Sequence, residues 1–169
     1  MQVVAKNTDA IDPNCNFTVV SYCMAQKFAD LLDRMKFKIC IADEAHYLKS
    51  RESKRSKSLV PLMTKIKRVL LLTGTPMLGK PNEIYNLIRI LRPDIFLKFL
   101  DFGVRYCGPK EGPYGIDWSG NSNNRELHLL LEKCLMIRRL KSEVLQELPA
   151  KRRQKVSLPL DKKMTSKIQ

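Results

Sequence analysis

Ile39-Cys40-Ile41-Ala42-Asp43-Glu44-Ala45-His46 is the stretch on which the reading of the fold turns. Its apolar start continues Phe37-Lys38 and reads as a strand buried on both faces of a parallel sheet, where little polar alternation survives. At Asp43 the run stops on two adjacent carboxylates. In open α/β sheets, ligands bind in the crevice beyond the carboxyl ends of the strands. A first carboxylate in that position can hold Mg²⁺ on a nucleotide, usually through water, and the next can orient and deprotonate the water that attacks the γ-phosphate. Asp43 suits the first role and Glu44 the second. The same pair also suits a plain turn, because acids after strands commonly serve as solvated residues or helix caps.

Working outward, Phe17-Thr18-Val19-Val20-Ser21-Tyr22 and Arg68-Val69-Leu70-Leu71-Leu72 are two more strand patterns, and Val3-Val4-Ala5 is a weaker one. Between them, Met24 to Met35 places Phe28, Leu31, Leu32 and Met35 on one helical face, and Ser53 to Lys67 does so with Leu59, Leu62, Met63 and Ile66. Strand alternating with helix predicts an α/β fold, a parallel sheet with helices on both faces. Leu72-Thr73-Gly74-Thr75-Pro76 follows its strand as Asp43 follows the other, so its hydroxyls are expected on the same edge, within reach of phosphate, His46 or a neighbouring acid. An ordinary turn is the plainer reading. Gly74 to Lys80 mimics a phosphate loop, but Pro81 stands where that loop needs a hydroxyl and an amide hydrogen, so Lys80 reads as a surface lysine.

Beyond Leu72 the pattern turns helical. Asn82 to Leu91 is a helix ended by Arg92-Pro93, and Ile95 to Tyr106 is another with Phe96, Phe99, Leu100 and Val104 inward. Residues 107–124 read as a long exposed loop rich in glycine and proline, and Arg125 to Leu135 as an amphipathic helix with Leu127, Leu130, Leu131 and Leu135 on one side. The organisation expected is residues 1–81 as the sheet-bearing part, 82–155 as a helical extension with a basic linker, and 156–169 as the start of a further segment. Five cysteines, odd in number and without a Cys-x-x-Cys pair, suit reduced thiols, and the two histidines lack zinc-ligand spacing. No apolar run approaches bilayer length, and no secretory signal opens the chain. Lys and Arg total 31 against 17 Asp and Glu, a net +14 that favours a polyanionic partner, although a basic surface can also serve solubility alone.

The residues resemble a known family. Asp-Glu-Ala-His with Leu-Thr-Gly-Thr-Pro looks like the second and third motifs of superfamily-two helicases. Ile137-Arg138-Arg139-Leu140-Lys141-Ser142-Glu143-Val144 and Leu148-Pro149-Ala150-Lys151 narrow the resemblance to Swi/Snf-like ATPases. Phe102 to Cys107 and Trp118 to Asn123 look most like the annealing-helicase, HARP-like branch of fork-remodelling proteins. The resemblance runs from Phe17 to Lys155. It implies a RecA-like first lobe, ATP and Mg²⁺ as reactants, a nuclear location, and movement along DNA without full strand separation. It implies that His46, Thr73, Gly74 and Thr75 couple hydrolysis to lobe movement. Ser21 and Tyr22 match a strand end on the DNA-facing side, and Arg138, Arg139 and Lys141 a basic segment toward a second lobe. Ser21 also suits a helix cap, and the arginines could be structural ion-pair residues.

The departure from the family pattern is that no Gly-Lys-Thr loop stands ahead of Asp43 and no second lobe follows. The chain therefore reads as a piece of a longer protein, expected to be inactive alone. The alternative is a non-catalytic basic nucleic-acid-binding module; an RNA helicase shares Asp-Glu-Ala-His but not the Ile137 to Lys151 segment. The basic run Lys151-Arg152-Arg153-Gln154-Lys155 and the net charge predict weak DNA binding with little sequence preference, released by raised salt. Titration of labelled duplex across a salt series checks this; a salt-insensitive affinity would reduce the charge to a solubility device.

Overall fold

Two parallel strand pairs carry the sheet character of the protein. In the computed structural model, which describes residues 1–75, 79–113, 115–139 and 152–154, β1 (Gln2–Val4) pairs with β2 (Thr18–Val20), and β3 (Ile39–Ala42) with β4 (Arg68–Leu71). Parallel neighbours need crossover connections. The β3–β4 crossover contains a 3-10 turn (Ala45–Leu48) and α3 (Lys54–Thr64), while α1 (Tyr22–Lys27) and α2 (Ala29–Arg34) lead from β2 to β3. Mixed α/β architecture with small parallel sheets is thus the observed class.

Strand burial departs from expectation. Cys40, Ala42, Val69 and Leu71 face the core, but Ile39, Ile41 and Leu70 are more than half exposed. Successive side chains point to opposite faces of a strand, and among the described residues only one face is covered. The apolar character of the outward row is what made the run look doubly buried. The expected helix from Met24 to Met35 is broken at Phe28 (φ −100°, ψ 19°), although no Gly or Pro stands there. Ser21 caps α1 by accepting from the Met24 amide at 3.4 Å, and Ser53 caps α3 by accepting from the Ser56 amide at 3.1 Å. α3 stops at Thr64 and buries Ser56, Leu59, Val60 and Met63.

A 3-10 turn (Pro81–Glu83) leads into α4 (Tyr85–Leu91), which is buried along most of its length and packs on α3. The next helix, α5 (Phe99–Tyr106), begins later than Ile95. That start sets its inward positions at Phe102, Gly103 and Tyr106, leaving Leu100 at 55% and Val104 at 59% exposure instead of inside. Phe96, Phe99, Phe102 and Tyr85 meet edge-on or tilted at 5.1–6.4 Å between centroids, the arrangement that ring quadrupoles favour.

The segment expected as an open loop is partly ordered by pairing. β5 (Lys110–Gly112) and β6 (Gly115–Asp117) form an exposed antiparallel hairpin. The segment after β6 is pinned to the end of α5: the Ser122 hydroxyl and the Asn123 side-chain amide donate to the Arg105 carbonyl at 2.7 and 2.8 Å, and the Ser122 backbone amide donates to the Tyr106 carbonyl at 2.8 Å. These bonds satisfy carbonyls that a helix end leaves without intrahelical partners. α6 (Asn124–Cys134) then buries Leu127 and Leu131.

These elements belong to a unit spanning Met1–Met136; a second spans Ile137–Gln169. The expected boundary between residues 81 and 82 falls inside the first unit. In the second, Arg138 and Arg139 are exposed, and the Arg139 guanidinium donates to the Arg138 carbonyl at 3.2 Å. Pro76, Lys141, the remainder of the segment to Lys151, Lys155 and the expected segment 156–169 lie outside the described residues.

Trp118, the one tryptophan of the chain, lies against Phe99 at 5.3 Å and over Gly103. A Cβ on Gly103 would stand 2.7 Å from Trp118 Cε3. Ala at a helical Gly gains up to about 1 kcal/mol in propensity, whereas overpacking costs about 1–3 kcal/mol. Gly103→Ala should therefore lower stability by about 1–2 kcal/mol and shift Trp118 emission as the ring is displaced. Urea unfolding followed by fluorescence checks both; an unchanged midpoint and spectrum would mean the ring contact is loose.

Candidate active site

Geometry at the ends of β3 and β4 brings the two polar motifs together. Ala42 pairs in register with Leu71, and the zipper continues past both strands: the Leu72 amide donates to the Ala42 carbonyl at 2.9 Å, and the Ala45 amide donates to the Leu72 carbonyl at 2.8 Å. Asp43 and Glu44 therefore leave the sheet beside Thr73, Gly74 and Thr75. The Thr73 hydroxyl accepts from the Thr75 amide at 3.2 Å, a local turn that a short hydroxyl side chain stabilises.

Asp43 and Glu44 are exposed, and Asp43 Oδ1 accepts from the Glu44 amide at 2.9 Å. Glu44 holds a left-handed backbone (φ 50°, ψ 46°), which costs a residue with a Cβ about 1–2 kcal/mol. Strain of that kind persists only where the surroundings fix it. Here the fixing comes from both sides. Downstream, Ala45 and Leu48 are fully buried. The Leu48 carbonyl accepts from the buried Ser56 hydroxyl at 3.0 Å and the buried Asn86 amide at 2.7 Å. Upstream, the Tyr22 hydroxyl donates to the Asp43 carbonyl at 2.8 Å.

His46 Nδ1 lies 3.0 Å from Glu44 Oε2, yet off the direction that a hydrogen bond requires. The contact is thus an ion-pair distance that counts only when the imidazole is protonated, and partial exposure of both groups keeps it weak. Its ring stacks on Tyr47 at 4.6 Å. The Arg55 guanidinium stands over Tyr22 and Tyr47 at 5.6 and 5.2 Å from their centroids.

Clefts of about 350 and 490 Å³ lie around Ile39, Ile66, Lys67 and Arg68 and around Leu32, Lys36, Phe37 and Lys65. Among the described residues no group of three or more His, Cys, Asp or Glu side chains could hold a metal ion by itself. The acid pair and the Thr-Gly-Thr segment were legible in the sequence as strand ends, whereas the bonds of Ser56, Asn86 and the Tyr22 hydroxyl were not. A polar Asn86 inside the apolar run Tyr85 to Leu91 was the available signal, because a buried amide needs a partner.

Residues 4–168 match the SNF2-related domain family. The chain belongs to that family. It is 51% identical over 133 residues to the SWI/SNF-related matrix-associated actin-dependent regulator of chromatin subfamily A-like protein 1 of Xenopus laevis, covering 75% of this chain and 14% of the relative. Mouse DNA annealing helicase and endonuclease ZRANB3 is 41% identical over 169 residues, covering 95% of this chain and 16% of that protein. A Caenorhabditis elegans homologue of the first relative is 36% identical, over 91% of this chain and 23% of its own length. The SNF2-related chain thus spans less than a quarter of these relatives, and the Swi/Snf resemblance with its annealing-helicase leaning holds at the level of family.

The shared acceptor at Leu48 O gives a test of the scaffold. Ser56→Ala and Asn86→Ala should each cost about 1 kcal/mol, since the other donor remains. The double variant leaves a buried carbonyl unpaired and should cost more than the sum, by about 1–2 kcal/mol. Chemical denaturation of the four proteins in a double-mutant cycle checks it; simple additivity would mean that water replaces the lost donors.

Proposed function

We propose that this SNF2-related segment is part of a RecA-like first motor lobe of an ATP-dependent DNA translocase of the annealing-helicase type, acting on branched or partly unwound DNA in the nucleus. The observation that carries the reading is the joining of two strand ends through Leu72, which sets an exposed Asp-Glu pair beside Thr73, Gly74 and Thr75 on one edge. The relatives' names, one a regulator of chromatin and one a DNA annealing helicase, support the choice of substrate and location. In this reading Asp43 holds Mg²⁺ through water and Glu44 orients and deprotonates the attacking water. His46 and the Thr-Gly-Thr turn relay the state of the nucleotide, and Ser21, Arg138, Arg139 and Lys141 face the DNA backbone.

The donor set suits the ion. Mg²⁺ keeps several waters and is commonly bound by one or two carboxylates together with substrate phosphates, not by an all-protein cage. One exposed aspartate suits the protein side of such a site. When bound, the ion would neutralise charge on the phosphates; the protein groups hold it and aim the water. The rival reading, a basic nucleic-acid-binding module without catalysis, rests on the same +14. The acid pair separates the two.

In the full-length protein, Asp43→Ala should weaken Mg²⁺-dependent nucleotide binding as well as turnover. Glu44→Gln preserves shape and removes the base, a loss that typically costs about 10²–10⁴-fold in rate. That variant should bind ATP normally, stay on DNA and fail to hydrolyse. Nucleotide titration paired with phosphate release, with and without DNA, gives the answer; ordinary turnover by Glu44→Gln would make Glu44 a surface carboxylate and favour the binding module.

A further inference from the structure

Tyr22 stands at the junction between β2 and the acid pair. It is the first residue of α1, directly after the Ser21 cap, and its hydroxyl crosses to the carbonyl of Asp43 at 2.8 Å. That carbonyl belongs to the peptide plane between Asp43 and Glu44, so holding it fixes ψ of the first carboxylate residue and φ of the second. The plane needs holding: Glu44 is in the left-handed region without being a glycine. The phenol is itself set by its ring, which meets Tyr47 at 5.8 Å under the Arg55 guanidinium.

We propose that Tyr22 is a positioning residue for hydrolysis, a strut that transmits the placement of the Ser21–Tyr22 corner to the Asp43–Glu44 turn. The inference rests on the ATPase reading above and changes one part of it. The family resemblance sets Tyr22 on the DNA-facing side as a contact, whereas its hydroxyl is engaged by the Asp43 carbonyl. DNA pressing on the exposed Ser21 corner would then reach the acid pair through a single side chain, without Tyr22 touching DNA. Removing the hydroxyl while keeping the ring isolates this role, because the packing on Tyr47 and Arg55 stays.

The test is Tyr22→Phe in the full-length protein. Loss of one hydrogen bond of ordinary strength should lower kcat at saturating DNA about three- to tenfold, with KM for ATP and Kd for DNA held within about twofold. Hydrogen exchange of the peptide spanning Asp43 to His46, measured without nucleotide, should quicken about three- to tenfold as the turn loosens. A raised Kd for DNA with kcat intact at saturation would make Tyr22 a DNA contact and overturn the strut. Unchanged kcat and unchanged exchange would overturn it equally, reducing the bond to an incidental one. If exchange quickens but the unmodified protein shows no DNA-stimulated hydrolysis, or Glu44→Gln still turns over, the strut stands as geometry and the ATPase reading, with the catalytic role of Tyr22, falls.

Discussion

Two backbone hydrogen bonds made by one residue hold the edge that carries the acid pair together. Leu72 donates to Ala42 and accepts from Ala45, and between those two acceptor and donor positions the chain has room for Asp43 and Glu44 alone. The bracket forces the acid pair to bulge off the sheet, and it forces Glu44 into a backbone conformation that a side chain resists. Everything else around the site acts to keep that bracket closed. Ala45 and Leu48 sink into the core, Ser56 and Asn86 hold the Leu48 carbonyl, and Tyr22 holds Asp43 from the other side.

The division of labour is physical. Apolar burial supplies the anchor, since Ala45 and Leu48 are wholly removed from water and drag the 3-10 turn with them. Directional bonds supply the aim, because a buried carbonyl with two donors has little freedom to rotate. The carboxylates themselves are left exposed, where desolvation costs them nothing before a ligand arrives. Among the described residues, an exposed single-contact pair such as Lys65 with Asp33 at 2.7 Å contributes little to stability.

How much of this was legible beforehand depends on the kind of information. The position of Asp43 at a strand end was readable because a continuous apolar run ending in two acids has few structural meanings, and the approach of Thr73 followed from strand order. Long-range pairing of single polar atoms was not. Nothing in the neighbourhood of Tyr22 in sequence marks its hydroxyl as the partner of a carbonyl on another strand, and nothing near Asn86 points to Leu48. Helix phase was misread where the start of the element was misplaced: moving the first residue of α5 from Ile95 to Phe99 sent Leu100 and Val104 outward. Two-faced burial of β3 and β4 was misread for a different reason. An apolar side chain is an expectation of cover, and the covering partner is not encoded locally.

The shortness of the elements has a consequence for how this protein comes into being. α1 and α2 have six residues each, the strands three or four, and α3 and α6 reach only eleven. Isolated helices below about 12–15 residues are marginal in water, and parallel pairing must await a partner that arrives after a whole crossover has been made. Within Met1 to Arg34, β1, β2, α1 and α2 are each too short to be durable by themselves. Ile39 to Ala42 lacks its β4 ladder partner until Arg68 to Leu71 has been translated. Synthesis therefore contains an interval in which this apolar, uncharged run waits for its β4 partner. That is the kind of segment that holdase chaperones recognise and that nascent aggregates recruit.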